Sequence, residues 1–384
     1  MTFTALVRLT LVTGIVTVAA AYVILGARSP WDFATYYYAA SALRSGLNPY
    51  SLGALSQVAG KRVDLPFIYP PVTLALFLPF TLLPVAVAGT VWLALKVVLM
   101  VPLVWVWKRF FLPDTNAIVL LATTLLGFNL ALLWDLRTGN VAVVEAALIW
   151  FAFAFYLRGH TWLAAYIISV AALLKQLPLL LVGAIAVPPD SSQRKWILLA
   201  SAVGFLTLSI ALPPHLSAEW RRGLSTAAAA PRPTGDINPS ALGLADWVTG
   251  TLELPMRFAP VLAFALYLVY CAILLLCSLG AMLRVQRSGS RAEQIVLLVL
   301  LWLLLSPRVM VYSYIMAIVP VLYVIETRIR PGGGRNAAVG IVLLQGMVRL
   351  LPGHPPTLLA PLSFLILGGA WILCLRPRVA GVPA

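Results

Sequence analysis

An all-α integral membrane protein is the fold class this chain predicts. Three observations carry it: long unbroken apolar runs, few charges, and basic residues gathered at the ends of the runs. Of 384 residues, 61% are hydrophobic and 10% charged, against about 25% charged in an average soluble domain. The runs 9–25, 85–107, 117–134, 196–212 and 260–283 approach or exceed the roughly 17–25 residues that a helix needs to cross hydrocarbon. Strands of a membrane barrel would alternate polar and apolar residues, and these runs do not. The formal charge of +15 excludes itself as a nucleic-acid signal by its distribution. Lys108-Arg109, Arg158, Arg194-Lys195, Arg284, Arg287, Arg291, Arg328, Arg330, Arg335, Arg376 and Arg378 punctuate the apolar runs instead of forming one basic domain. Such loops face the cytoplasm.

With the basic loops inside, crossings fall at 6–27, 84–107, 115–134, 141–157, 161–174, 176–188, 196–213, 256–283, 293–306, 312–326, 336–351 and 357–375, a bundle of about 11–12 transmembrane helices in one domain over 1–384. The first run follows Arg8 but shows no Ala-x-Ala exit before the aromatic segment at 31–38, so it reads as a retained helix and not a cleaved leader. Residues 161–188 suit one tilted helix by length. Arg158 and Arg194 both call for the inner side, however, which favours two short helices broken at Lys175-Gln176-Leu177-Pro178, where proline supplies the break. The run 72–83, bracketed by Pro70-Pro71 and Pro84, is short for a crossing and reads as a partly embedded helix near the outer surface. Cys271, Cys277 and Cys374 have neither metal-ligand nor disulfide-framework spacing and read as packing residues.

Four regions then face outward: 28–70, 135–140, 214–255 and 307–311. The first contains Asp32 beside Phe33 and Tyr36-Tyr37-Tyr38, with residues 33–44 helical in character and Asn48-Pro49-Tyr50 marking a turn. A carboxylate at a membrane surface needs water or a counter-charge. The loop 214–255 includes Ala227-Ala228-Ala229-Ala230-Pro231, which reads either as a cover for a site or as plain surface. Asp135, Arg137 and Asn140 occupy a turn at 134–140, with Asn140 suited equally to capping the next helix and to contacting substrate. Glu145 lies about one turn deeper, where an unpaired carboxylate is costly. Lys175 and Arg308 complete a set of ionisable residues assigned to the outer side. Lys96 sits in mid-span, where it reads as a member of a buried structural pair, as part of an ion pathway or as a contact for lipid phosphate; no second deeply embedded acid offers itself as a relay partner, which weakens a proton-coupled transport reading. Phosphate-loop, dinucleotide and His-Glu-x-x-His fingerprints are missing from the sequence, and His160, His215 and His354 are scattered loop residues, so no metal site is expected.

The segments Asp32-Phe33-Ala34-Thr35-Tyr36-Tyr37-Tyr38-Ala39-Ala40, Gly46-Leu47-Asn48-Pro49-Tyr50, Phe67-Ile68-Tyr69-Pro70-Pro71, Arg137-Thr138-Gly139-Asn140, Lys175-Gln176-Leu177-Pro178 and Ser306-Pro307-Arg308 resemble, in order and spacing, the bacterial glycosyltransferase family 87. The resemblance implies a GT-C-type bundle with short outer-face helices in the bacterial plasma membrane, its active site facing outward. It also implies transfer of mannose or arabinofuranose from a polyprenyl-phosphate donor to a glycolipid or glycan acceptor, with no cofactor beyond that lipid-linked donor. Asp32 matches the family's general base. Lys175, Arg308 and, by location, Arg137 are the expected ligands of the donor phosphate, while Tyr36, Tyr37, Asn140, Glu145, Gln176, Tyr312 and Tyr314 are candidate substrate contacts. Membrane lipid is the surrounding partner. A transporter of polyprenyl or sugar lipids is the competing reading, since many helices with scattered polar residues also suit translocation.

Overall fold

The computed structural model describes residues 3–26, 30–175, 177–186, 196–197, 199–203, 214–229, 238–252, 258–350 and 356–376. These residues form helices and turns, with no strand among them. The principal helices are α1 (Phe3–Gly26), α2 (Trp31–Arg44), α3 (Leu52–Ala59), α4 (Pro71–Phe77), α5 (Val85–Phe110), α6 (Ala117–Thr138), α7 (Ala142–Leu157), α8 (Thr161–Leu174), α9 (Leu180–Ala186) and α10 (Pro214–Ala229). Beyond them come α11 (Ala241–Thr251), α12 (Ala259–Ser288), α13 (Arg291–Leu305), α14 (Ile318–Arg328), α15 (Gly333–Leu350) and α16 (Pro356–Leu375). Four described helical segments have the length and hydropathy to cross a membrane: Val85–Phe110, Ala117–Thr138, Ala259–Ser288 and Val311–Arg328. Shorter apolar helices accompany them at Val12–Ile24, Pro71–Leu82, Ala142–Leu157, Thr161–Leu174 and Pro361–Leu375. The break expected after α8 is present: Lys175 is extended at φ −145° and ψ 132°, and a 3-10 turn at Leu177–Leu179 leads into α9. Residues 72–83 form no single long helix. They make α4, with prolines at its start, followed by a 3-10 turn at Leu78–Leu82.

The chain divides into two compact units. One comprises Val23–Trp105 and Asp135–Arg232. Its core is aromatic: Phe33 and Tyr36 of α2, Phe67, Phe77 of α4 and Trp92 of α5 are buried together. Phe33 stacks on Trp92 with ring centres 6.3 Å apart and meets Phe77 edge-on at 6.1 Å, arrangements that aromatic quadrupoles favour. On α5, Ala88, Trp92 and Lys96 are buried at four-residue spacing, whereas Val87, Val91, Leu95 and Val98 are exposed. A helix with one face in protein and an exposed apolar face is what a lipid-facing span requires. The short helices are pinned by polar anchors. Ser51 caps α3 by accepting from Ala54 N, Asn48 Nδ2 donates to Glu219 Oε2 of α10 at 2.7 Å, and Trp220 Nε1 donates to the Ile68 carbonyl at 3.0 Å.

The other unit comprises Met1–Tyr22, Val106–Trp134 and Pro233–Ala384. Here α12 exposes Val261, Phe264, Leu268, Leu275 and Leu279. Its Arg284 Nη2 donates to the terminal carbonyls of Cys374 and Leu375 on α16, satisfying acceptors that a helix end leaves open. Glu293 of α13 pairs with Arg328 of α14, both nearly inaccessible. Within α6 the backbone breaks at Gly127, and Phe128, Asn129 and Leu130 take left-handed conformations with φ from 51° to 60°. Gly346 of α15 fits against the Leu126 carbonyl there, where a Cβ would collide. Cys271, Cys277 and Cys374 are free thiols.

Candidate active site

Asp32 stands in the first turn of α2, where the unpaired amides of a helix start favour a negative charge. Tyr36 is one turn further along the same helix face and 1% exposed. The amide of Asn140 ties them together: Nδ2 lies 3.0 Å from Asp32 Oδ2, 3.0 Å from the Tyr36 hydroxyl and 3.3 Å from the Tyr69 hydroxyl. The Tyr36 hydroxyl in turn donates to that of Tyr69 at 2.9 Å. Asn140 Oδ1 accepts from Ala142 N at the start of α7. The N-cap of α7 is Val141, without a side-chain cap, and the Asn140 oxygen reaches the first-turn amide from the residue before it.

Burial raises the Asp32 carboxyl pKa above its ordinary value. Hydrogen bonds with Asn140 and Thr138 oppose the rise, Asp135 adds to it, and the Lys175 charge lowers it. Burial likewise raises the Tyr69 phenol, keeping it protonated at neutral pH.

Two lysines, Lys96 buried and Lys175 half-buried, flank this group. Lys175 Nζ donates to Glu145 Oε2 at 2.7 Å, with the Lys175 side chain 21% exposed and Glu145 4%. Lys96 Nζ, with no exposure, donates to Asp135 Oδ2 at 2.8 Å, to the Asp135 carbonyl at 2.6 Å and to the Asn140 carbonyl at 3.1 Å. Of the readings for Lys96, the buried structural pair is the one observed, and its partner is Asp135. Helix α6 continues to Thr138 instead of ending at 134, which carries Asp135 into a buried helical turn and not a surface loop. Asp135 Oδ1 also accepts from Ala142 N at 3.0 Å.

The structure thus brings Asp32, Tyr36, Asn140, Glu145 and Lys175 into one unit and one polar cluster. Arg137 is half-buried in the last turn of α6. Tyr37 belongs to the same unit, yet its hydroxyl donates to the Leu83 carbonyl at 2.8 Å. Gln176 lies outside the described residues, as do residues 230–237 of the loop read as a cover. Arg308, Tyr312 and Tyr314 belong to the other unit. There Arg308 is exposed, on a turn fixed by Ser240 Oγ donating to the Pro307 carbonyl at 2.8 Å and by Val309 N donating to Asn238 Oδ1 at 3.0 Å. Tyr312 is buried, and the Tyr314 hydroxyl donates to the Pro239 carbonyl at 2.6 Å.

Residues that the sequence reading did not place in a site are Tyr69, Asp135 and Lys96 as its partner, along with Asn238 and Ser240 beneath Arg308. Tyr69 carried a signal in the Tyr69-Pro70-Pro71 segment, and the pair of a mid-span lysine with an acid at a span end was the signal for Asp135. A cavity of about 520 Å³ also borders α2. It runs along the face bearing Trp31, Ala34, Thr35 and Tyr38, with Lys61, Arg62 and Asp64 among its lining residues, and not along the face bearing Asp32. Among the described residues no three His, Cys, Asp or Glu side chains gather as a metal-binding group.

Membrane-length apolar helices, together with a buried cluster of carboxylates, lysines and an amide, define a multi-pass membrane protein with a buried polar site. The model of glycosyltransferase family 87 matches residues 67–307, more than half of the sequence. The chain belongs to glycosyltransferase family 87, a family of the GT-C superfamily, and membership implies glycosyltransferase activity. Tyr69, Lys96, Asp135, Asn140, Glu145 and Lys175 fall within the matched residues, while Asp32 and Arg308 fall outside them. No curated protein matches the chain.

Proposed function

We propose that this glycosyltransferase moves a sugar, mannose or arabinofuranose, from a polyprenyl-phosphate donor to a hydroxyl of a glycolipid or glycan acceptor. The transfer takes place at the outer face of a bacterial plasma membrane, with inversion at the anomeric carbon. The observation that carries the reading is the half-buried Asp32 carboxylate, oriented by Asn140 Nδ2 at 3.0 Å. A carboxylate made more basic by burial is suited to accept a hydroxyl proton.

Asp32 takes the proton of the acceptor hydroxyl as its oxygen bonds to the anomeric carbon. The bond from that carbon to the phosphate oxygen breaks on the opposite side, and its electron pair leaves with the lipid phosphate. Lys175 supports the charge that grows on the phosphate. Its pairing with Glu145 at 2.7 Å holds the ammonium in place before substrate arrives, so little reorganisation is left for the reacting step. Arg308 and Arg137 are further cations for the donor phosphate, with guanidinium geometry suited to a two-pronged grip. Tyr36, Tyr37, Tyr312, Tyr314, Glu145, Gln176 and the Asn140 amide remain the proposed contacts for sugar and lipid.

The test is a matrix of polyprenyl-phosphate sugars against candidate acceptors, with product linkage and anomeric configuration read by NMR and Asp32→Asn as control. The expected result is an inverted glycoside made by the wild type and lost in the variant. A correctly folded Asp32→Asn protein that turns over at the wild-type rate overturns the base assignment, and retention of configuration overturns the single-displacement mechanism.

A further inference from the structure

We propose that Trp92 and Lys96, one turn apart on α5, act together as positioning residues. They grip the backbone of the turn between α6 and α7 so that Asn140 meets Asp32 in reacting geometry. The proposal rests on the reading of Asp32 as the base.

Three carbonyls of this turn are held from α5 alone. Trp92 Nε1 donates to the Gly139 carbonyl at 2.8 Å, and Lys96 Nζ donates to those of Asp135 and Asn140 at 2.6 and 3.1 Å. The two residues share a helix face, and the Lys96 ammonium lies 5.9 Å from the centre of the Trp92 ring, within cation–π range. The same indole stacks on Phe33, the neighbour of Asp32 in the chain, with ring centres 6.3 Å apart and planes 23° from parallel. One side chain thus touches both halves of the site: the residue after the base, and the residue before the amide that orients it. A span that needed only solubility in lipid would have no use for a buried lysine. A buried ammonium needs an acceptor for each of its N–H groups, and the acceptors here are two backbone carbonyls beside the Asp135 carboxylate. An ammonium carries three donors, and here all three are spent on this turn.

Asn140 holds Asp32 through one N–H and is held through its backbone. Loosening the turn therefore changes the angle and distance of that bond without replacing any group proposed to bind donor or acceptor. Displacements of about 1 Å near reacting atoms lower rates by up to about a hundredfold.

Two variants test this. Trp92→Phe keeps a ring against Phe33 and changes no charge, but removes the donor to Gly139. Lys96→Met combined with Asp135→Asn removes both members of the ion pair, so no unpaired buried charge is left, and retains an amide oxygen for Ala142 N. For each, kcat is expected to fall about tenfold or more, with KM for donor and acceptor changed by a smaller factor than kcat.

In Trp92→Phe the acid limb of the kcat/KM profile is expected to move to higher pH, because a weakened bond from Asn140 no longer favours the Asp32 anion. The other groups facing Asp32, namely Thr138 and Asp135 on α6, Lys175 after α8, Tyr69 before α4, Tyr36 on α2 and the more distant Lys96, are unchanged in that variant. Wild-type kcat in a folded Trp92→Phe protein refutes the proposal, whatever the double variant does. So does a loss carried wholly by KM. If the double variant fails to fold, Trp92→Phe alone decides the question. Turnover by Asp32→Asn at the wild-type rate would instead remove the base reading beneath the proposal, so the two failures are separable.

Discussion

Replacing Gly139 with alanine places a methyl where the structure has no room for one, and the consequence is calculable. Gly139 has φ +77°, a conformation that costs an L-residue about 1–2 kcal/mol. Its Cβ would lie 2.5 Å from Phe33 Cβ, 3.2 Å from Phe33 N and 3.3 Å from Pro30 Cβ, whereas carbon atoms in contact prefer about 3.5–4.0 Å. The turn and the start of α2 must therefore separate by roughly 1 Å or more, at about 1–3 kcal/mol for overpacking.

Together these give a loss of about 2–5 kcal/mol in stability. Because Phe33 adjoins Asp32, the same displacement is expected to lower kcat by up to about a hundredfold. Gly60→Ala is the matched control: its φ of +62° imposes the same backbone strain, but no heavy atom lies within 4 Å of the added methyl. It should lose about 1–2 kcal/mol and retain wild-type kcat. Thermal unfolding in detergent and steady-state transfer on the three proteins form the assay. Gly139→Ala indistinguishable from Gly60→Ala in both would refute the close packing of the turn against α2.

Asp32→Asn should lower kcat by about 10²–10⁴ without loss of stability. The folded carboxyl titrates above its ordinary value of 3.8, so the stability contributed by its protonated form is complete below that value and is lost as pH rises through the folded pKa. The variant has no such loss, and its melting temperature relative to wild type should climb between those two pH values and then level off; a variant less stable at neutral pH contradicts the burial argument. Lys175→Met strands Glu145, 4% exposed, at about 3 kcal/mol, and should weaken donor affinity; unchanged donor binding removes Lys175 from the phosphate site. Arg308→Ala, at an exposed position, should leave the melting temperature within about 0.5 kcal/mol equivalent of wild type while raising donor KM, and an unaltered KM ends its assignment. Arg328→Met breaks the buried pair with Glu293 and should cost about 3–5 kcal/mol with donor KM unchanged in whatever protein folds.

The helices were legible because lipid permits few alternatives: apolar length alone marked α5, α6 and α12, and Pro178 marked the break after α8. Within the site, Asp32 was legible as a carboxylate beside an aromatic segment, and Glu145 and Lys175 as charges at the ends of spans. Their pairing was not, since thirty residues of α7 and α8 separate them and only the helical hairpin brings Nζ to 2.7 Å from Oε2. Asp135 was misplaced for a related reason. Hydropathy ends a helix at the first polar residues, but Lys96 supplies the counter-charge that lets α6 run a further turn with Asp135 fully buried. A charge pattern read along one helix cannot register a neutralising partner on another. The kink at Phe128–Leu130 is silent in the sequence apart from Gly127, because left-handed leucine and phenylalanine are set by tertiary contact and not by local preference.

The same logic bears on the ion pairs that surround Asp32. Asp32, Asp135 and Glu145 are three carboxylates in one polar cluster, and Lys96 and Lys175 neutralise two of them directly. Asp32 alone among the three has a neutral amide, Asn140, as its hydrogen-bond partner in place of an ammonium. An ammonium in that position would hold the proton affinity of the carboxylate down, whereas an amide orients it and leaves the rise due to burial largely in place. Substituting lysine for Asn140 therefore separates orientation from basicity. Asn140→Lys should preserve a bond to Asp32 yet lower its pKa, shifting the acid limb of kcat/KM to lower pH and reducing kcat, and an acid limb that stays in place would show that Asp32 does not govern the rate.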